Sequence, residues 1–268
     1  MLSNGCCGFN KAKIAQSFGK AASVYDEVAI LQQEVGVNLY DLLKSTNIQP
    51  AKILDVGSGT GKMTLELAHL FPDAAVLGVD IADSMVRFAR TNFKQTDNLD
   101  FICADADFLP LANNSIDLIV SNLMLQWSAN CKATLSEWWR VMKSGGVFFF
   151  STLGPGSLHE LRTAWQKVDS DSHVNFFVDQ HTLKRCLVNA QFKNIQVKMV
   201  NHSRFFNSLH ELMTDLKILG AHNLQHKRKP GLLGKRKFML LQEAYEKFRC
   251  ENGKLCVTYE VYYVSAVR

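Results

Sequence analysis

A chain of 268 residues with 47% hydrophobic and 21% charged residues has the composition of an ordinary globular protein. That excludes a disordered or fibrous chain, because there is enough apolar mass for a large core. The net charge of +5 is unevenly spread: residues 1–150 carry 12 Lys and Arg against 15 Asp and Glu, and residues 151–268 carry 18 against 10. The basic second half predicts a surface turned toward an anionic partner. Seven cysteines, an odd set without a C-x-x-C pair, indicate reduced thiols and a cytoplasmic location. No apolar run approaches the roughly 18 residues of a membrane span, and the Cys6-Cys7 terminus lacks the apolar segment of an export signal, so no membrane association is expected.

In chain order, residues 10–45 read as helices, the first over 10–22. From residue 51 short apolar runs alternate with amphipathic stretches. Strands are predicted at 51–57, 74–80, 99–105, 115–122 and 145–153, and helices at 60–71, 83–93 and 131–143. Repeated β-α units of this length require right-handed crossovers between parallel strands, hence an α/β, doubly wound sheet with helices on both faces. Residues 154–203 supply helices at 156–168 and 179–192 and a strand at 194–203. The basic stretch 206–250 reads as a helical cap inserted into a single domain, and the aromatic, β-branched run 254–267 as a last strand returning to the sheet edge.

The most informative stretch is "LDVGSGTGKMT", which joins the first strand of the core 51–153 to its first helix. Glycines there permit a tight turn and let a ligand approach the backbone, at the carboxyl-end crevice where open α/β sheets bind ligands. A dinucleotide fingerprint needs glycine at its sixth position, which is Lys62; a phosphate-cradling loop needs Ser or Thr after Gly61-Lys62, and Met63 follows. The D-x-G-x-G-x-G pattern instead resembles the first motif of the class I S-adenosylmethionine-dependent methyltransferases. That resemblance implies a seven-stranded Rossmann-like sheet, with Asp55, Gly57, Ser58, Gly59 and Gly61 around the methionine part of the cofactor. It also implies Asp80 on the ribose hydroxyls, Ile81 and Met85 on the adenine faces, Asp105 on the adenine amino group flanked by Ala104 and Ala106, and Asn122 facing the methyl side.

The fourth strand ends in "SNLMLQW" and not in the Asn/Asp-Pro-Pro-aromatic sequence of enzymes that methylate amide or aromatic amine nitrogens. The basic run lacks interleaved aromatics, so no nucleic-acid partner is expected. Five segments, "NKAKIAQSFGKAASVYDEVAILQ", "SNLMLQW", "TLGPGSLHELRTAWQKVD", "DLKILGAHN" and "VTYEVYY", are similar to the malonyl-acyl-carrier protein O-methyltransferase family of biotin synthesis. The resemblance covers nearly the whole chain. It implies transfer of a methyl group from S-adenosyl-L-methionine, leaving S-adenosyl-L-homocysteine, to the free carboxylate of a malonyl thioester on acyl carrier protein or coenzyme A. Helices 10–45 are then expected over the cofactor cleft and segment 154–203 on the acceptor side. A malonyl carboxylate is already ionised at neutral pH, so no general base and no metal are expected.

Substrate contacts implied by the matching segments are Tyr25, Gln126, Trp127, Ser157, Lys217 and Tyr259; Tyr25 also suits a cation–π contact with the sulfonium. Six basic residues in eleven positions, Lys227, Arg228, Lys229, Lys235, Arg236 and Lys237, suggest a dock for an acidic carrier. His222 and His226 share a helical spacing but lack a third metal ligand. The alternatives are a methyltransferase for another small carboxylate or a quinone precursor, and a methyltransferase-like assembly factor of a respiratory complex.

Overall fold

Five apolar runs followed by crossovers place the strands of the first half side by side. The computed structural model describes residues 11–21, 25–218 and 234–268. Strands β1 (Lys52–Val56), β2 (Ala75–Asp80), β3 (Leu99–Cys103), β4 (Ile116–Asn122) and β5 (Met142–Leu153) run parallel. β6 (Lys193–Phe206) and β7 (Leu255–Val267) complete a seven-stranded sheet in the order β3-β2-β1-β4-β5-β7-β6. Before the sheet come helices α1 (Lys11–Ala21), α2 (Tyr25–Val28) and α3 (Ile30–Lys44). α4 (Lys62–Leu70), α5 (Asp83–Phe93) and α6 (Cys131–Val141) follow β1, β2 and β4. α7 (His159–Trp165) and α8 (Gln180–Asn189) precede β6, and α9 (Leu209–Ile218) and α10 (Lys235–Tyr245) separate β6 from β7.

The period-2 alternation of the strands divides the core between two faces. On β7, Val257, Tyr259, Val261 and Tyr263 pack with α3, α4, α7, α9 and α10, while Tyr262, Val264 and Ala266 face α6 and α8. Phe149 of β5 joins the first cluster and its neighbours Phe148 and Phe150 the second. Side-chain caps fix where two helices begin: Asn130 Oδ1 accepts from the Ala133 N–H at 3.2 Å, and Asp179 Oδ1 from the Thr182 N–H at 2.9 Å.

The final strand does not lie at the edge of the sheet. β7 is antiparallel to β5 on one side and to β6 on the other, and β6 is the edge. Side-chain burial explains the order. β7 is buried along both faces, whereas most of β6 is half-exposed or exposed, its exposed residues mostly polar with Met199 and Phe205 among them. Leu209, Leu212 and Leu216 of α9 and Leu241 and Tyr245 of α10 enter the same apolar cluster as α3, and α10 packs on α7. Among the described residues no helix is long and apolar enough to cross a membrane.

Candidate functional site

The site is built at the carboxyl ends of β1, β2, β3 and β4. After β1 the chain turns through Gly57 (φ +81°), Gly59 (φ +54°) and Gly61 (φ +87°), a left-handed path that glycine alone follows without strain. The Gly57 and Ser58 N–H groups donate to Val79 O at 2.8 and 3.0 Å, pinning the loop to β2. A Cβ on Gly61 would lie 2.6 Å from Phe101 Cζ; at Gly59 it would meet nothing within 4 Å, so the backbone there is open to a ligand. Gly61 stands at the start of α4, where its missing side chain makes room for Phe101 and Ala89.

A cavity opens above this loop. Gly57, Gly59, Asp80, Ile81, Met85, Ala104, Asp105, Ala106 and Asn122 line it, together with Tyr25, Gln126, Trp127 and Tyr259. A neighbouring cavity between α3 and the loop shares Tyr25, Gly57, Gly59 and Asn122 and adds Asp55 and Ser58. The fold thus brings the expected cofactor side and most of the expected acceptor side together.

The acids are held differently from one another. Asp80 accepts from the Gly59 N–H at 2.9 Å and the Ala82 N–H at 2.8 Å, so its carboxylate braces the loop as well as lining the cavity. Burial nevertheless pushes its pKa up, against those hydrogen bonds. Asp55 is 1% exposed, and burial pushes its carboxyl up to about 7, opposed by a hydrogen bond from the Thr64 hydroxyl at 2.7 Å and reinforced by the Asp80 charge. Asp105, expected on the adenine amino group, has both oxygens on Lys11 Nζ, at 2.7 and 2.6 Å. The same ammonium reaches Asp107 at 2.5 Å. Burial alone would lower the Lys11 pKa; the two carboxylates raise it.

Lys11 was not legible as a site residue. Lys11, Ile14, Ala15 and Phe18 share one face of α1 at helical spacing, but the sequence does not say what that face meets. In the structure Lys11, Ile14 and Phe18 line the cavity, and Phe18 and Ala15 pack near Met85. The Phe18 ring meets Trp127 edge-to-face at 5.3 Å and Tyr25 at 6.3 Å. Helix α1 therefore spans the cavity from the Asp105 end to the Trp127 end. Gln32, Asn175 and Phe177 are further lining residues that no motif announced.

Asn122 is tied into the frame: its amide donates to Gln32 O at 2.8 Å and its oxygen accepts from the Ser151 hydroxyl at 2.7 Å. Gln126 Oε1 lies 3.3 Å from the Leu153 N–H. The phenols of Tyr25 and Tyr259 are both pushed up, chiefly by burial, with Asp80 adding at Tyr25 and Asp215 at Tyr259. Both are neutral donors at pH 7, and among the described residues neither hydroxyl has a hydrogen-bond partner. Ser58 Oγ is likewise buried without one.

Two expected substrate residues lie elsewhere. Ser157 is buried off the cavity, its hydroxyl donating to Glu260 O and accepting from the Glu260 N–H, both at 3.0 Å, which ties the α7 approach to β7. Lys217 is exposed near the end of α9 and does not line the cavity, because the apolar face of that helix turns inward. Of the basic run, Lys235 and Arg236 are exposed at the start of α10. Lys237, also exposed, pairs with Asp169 at 2.6 Å. Lys227, Arg228 and Lys229, with His222 and His226, lie outside the described residues. Asp169, Asp171 and His173 cluster at metal-ligand distances, but none lines the cavity, and Asp169 is taken by Lys237 and by His173 at 2.7 Å.

Residues 54–150 match a methyltransferase domain family. The chain is 40% identical to the malonyl-acyl-carrier protein O-methyltransferase of Gallionella capsiferriformans, over 95% of this chain and 89% of that protein. It is 42% identical to the biotin biosynthesis bifunctional protein BioHC of Cellvibrio japonicus, over 95% of this chain, and spans 50% of that longer relative. Among solved structures, the YcgJ protein of Bacillus subtilis superposes with a TM-score of 0.62 at 18% identity, over 86% of this chain and 98% of that one, a likeness of fold. Glycine loop, acids at successive strand ends and full-length likeness agree: the chain belongs to the malonyl-acyl-carrier protein O-methyltransferase family.

Proposed function

We propose that the protein transfers the methyl group of S-adenosyl-L-methionine to the free carboxylate of a malonyl thioester carried by acyl carrier protein, the methylation that biotin synthesis uses. One observation carries this reading: a single cavity joins the glycine loop and the strand-end acids to a second wall made by Gln126, Trp127 and Tyr259.

The residues fit the cofactor. Gly59 leaves open space where a side chain would stand, Ser58 Oγ is buried without a partner, and Asp55 and Asp80 offer carboxylates to a cationic, hydroxyl-rich molecule. When bound, the cofactor supplies an activated methyl group on a sulfonium. The chain's own work is positioning and drying. Malonyl carboxylate is ionised at neutral pH, so no side chain needs to remove a proton. Tyr25 and Tyr259, held protonated by burial, and the Gln126 amide are placed to orient that anion with neutral hydrogen bonds. Neutral donors suit the task, because a strong cationic partner would stabilise the ground state of the nucleophile. Helix α1, with Phe18 on Trp127, covers the cavity and excludes water, so proximity and desolvation contribute on the order of several kcal/mol.

The acidic carrier is proposed to dock on the start of α10 through Lys235 and Arg236, beside the exposed side chains of Met239 and Leu240. The reading places the protein in the cytoplasm, where carrier-bound thioesters are made.

The test is direct. Purified protein with S-adenosylmethionine and malonyl-carrier should yield the carrier-bound methyl ester by intact mass, and Tyr259→Phe should lower kcat/KM by about tenfold or more, the size of a hydrogen bond to a charged group. No ester formation by a protein that binds S-adenosylhomocysteine would overturn the acceptor assignment, while leaving cofactor binding intact.

A further inference from the structure

Residues 166–179 join α7 to α8 without helix or strand, and a long irregular connection inside a compact domain costs ordering entropy that is retained where it serves a site. The later part of this loop reaches the cavity: Asn175 is 3% exposed, and both Asn175 and Phe177 line it. Phe177 packs against the apolar cluster of Val174, Leu153, Leu158 and Tyr259, whereas Phe18 and Met85 belong to a separate one. Leu153, Leu158 and Tyr259 line the cavity too, so the loop belongs to the Tyr259 side of it. The earlier part is held outside the cavity. The His173 ring lies flat on Trp165 of α7, with centroids 3.5 Å apart at 12°. Trp165 Nε1 is buried without a hydrogen-bond partner among the described residues, so what the indole offers His173 is its face. His173 Nε2 meets Asp169 Oδ1 at 2.7 Å, and because a carboxylate only accepts, the ring nitrogen donates. The same oxygen accepts from the Asp171 N–H at 3.1 Å, and Oδ2 accepts from Lys237 Nζ of α10 at 2.6 Å.

We infer that Asp169 and His173 are positioning residues for the methyl acceptor: their hydrogen bond, laid on the face of Trp165, fixes the turn from which Asn175 and Phe177 enter the cavity. The inference rests on the acceptor reading above. Neither side chain lines the cavity; each acts through the residues that follow His173, of which Val174 is buried in the core and Asn175 and Phe177 form the wall. The Asp169 and His173 side chains are 16% and 10% exposed, so their bond is largely shielded from water and is not one of the surface pairs that contribute little. A wall already ordered before the substrate arrives leaves less to be ordered on binding, so the clamp acts on acceptor affinity. The cofactor side does not depend on it, because Asp80 braces the glycine loop through the Gly59 N–H at 2.9 Å.

The experiment compares Asp169→Ala, His173→Phe and Asp169→Asn in the full-length protein. Phenylalanine keeps a ring on Trp165 and removes the bond; asparagine keeps an oxygen for His173 and the Asp171 N–H and gives up the charge facing Lys237. Amide hydrogen exchange over residues 170–178 should quicken about fivefold or more in the alanine and phenylalanine variants and stay near wild type in the asparagine variant. In the same two variants KM for malonyl-coenzyme A should rise about fivefold or more, with kcat within about twofold and S-adenosylhomocysteine affinity unchanged. Unchanged exchange in His173→Phe overturns the clamp, and this variant decides the matter if Asp169→Ala does not fold. Faster exchange with an unchanged KM, or with S-adenosylhomocysteine affinity falling in parallel, overturns its role at the acceptor. An asparagine variant as impaired as the alanine one assigns the effect to the Lys237 pair and overturns the part given to His173. A wild type that forms no ester from any malonyl thioester overturns the acceptor reading and not the clamp, which exchange decides by itself.

Discussion

Replacing Asp55 by asparagine isolates the cost of a buried charge beneath the glycine loop. The carboxyl is 1% exposed and is pushed up from 3.8 to about 7. A group that folding makes harder to ionise keeps its proton in the native state up to the folded pKa, while the unfolded chain releases it near 4. Between those values the native state binds more protons, so this residue makes stability fall as pH rises from about 4 to 7 and stay level above. With about 1.4 kcal/mol per pKa unit, the full penalty is about 4 kcal/mol above pH 7, and the part that develops between pH 5 and pH 8 is about 2–3 kcal/mol. The asparagine side chain would keep an acceptor for the Thr64 hydroxyl, which now donates to Asp55 Oδ2 at 2.7 Å, and would have no charge to bury. Urea unfolding of both proteins at pH 5 and pH 8 gives the difference free of every other titration. The wild type should lose about 2–3 kcal/mol relative to Asp55→Asn over that interval. A difference that does not change with pH, or that moves in favour of the wild type at pH 8, refutes the reasoning. If the carboxylate also receives the cofactor's ammonium, S-adenosylhomocysteine should bind the wild type more tightly as pH rises from 5 to 7, and Asp55→Asn should flatten that profile.

Three further outcomes are expected. Gly61→Ala should destabilise by about 3 kcal/mol in urea unfolding, because its Cβ would meet the Phe101 ring and Ala89 at a positive φ; a loss below about 1 kcal/mol would refute this. Lys11→Met breaks a partly exposed ion pair, so stability should change by less than about 1 kcal/mol, while S-adenosylhomocysteine should dissociate several-fold faster by stopped flow as α1 is released; an unchanged off-rate would show that α1 does not hold the ligand. Reversing Lys235 and Arg236 to Glu should raise KM for malonyl-carrier about tenfold at low salt, with malonyl-coenzyme A unaffected and the difference shrinking as salt is added. Equal loss with both substrates would remove α10 as the docking surface.

Local pattern determined a good deal of this protein. The β-α alternation from residue 51, the glycine spacing after β1 and the acids at the ends of β1, β2 and β3 were readable because strand periodicity, turn chemistry and strand-end position are each set by a few neighbouring residues. Asp80, Ile81, Met85 and Asn122, which the family resemblance implied for the site, line the cavity. Tertiary structure decided the rest, because pairing partners and facing surfaces are properties of residues far apart in the chain. It put β7 between β5 and β6, where both of its backbone edges are paired and helices of the two layers cover its faces. It turned Ser157 into a backbone tie for Glu260 and gave Lys237 to Asp169. It brought Lys11 across 94 positions to Asp105, a contact that no local periodicity encodes. The charge asymmetry is a further case: composition located the basic half, but only packing set Lys237, and not its exposed neighbours Lys235 and Arg236, beside Asp169, because the carboxylate that a cation meets depends on which segments the fold brings together.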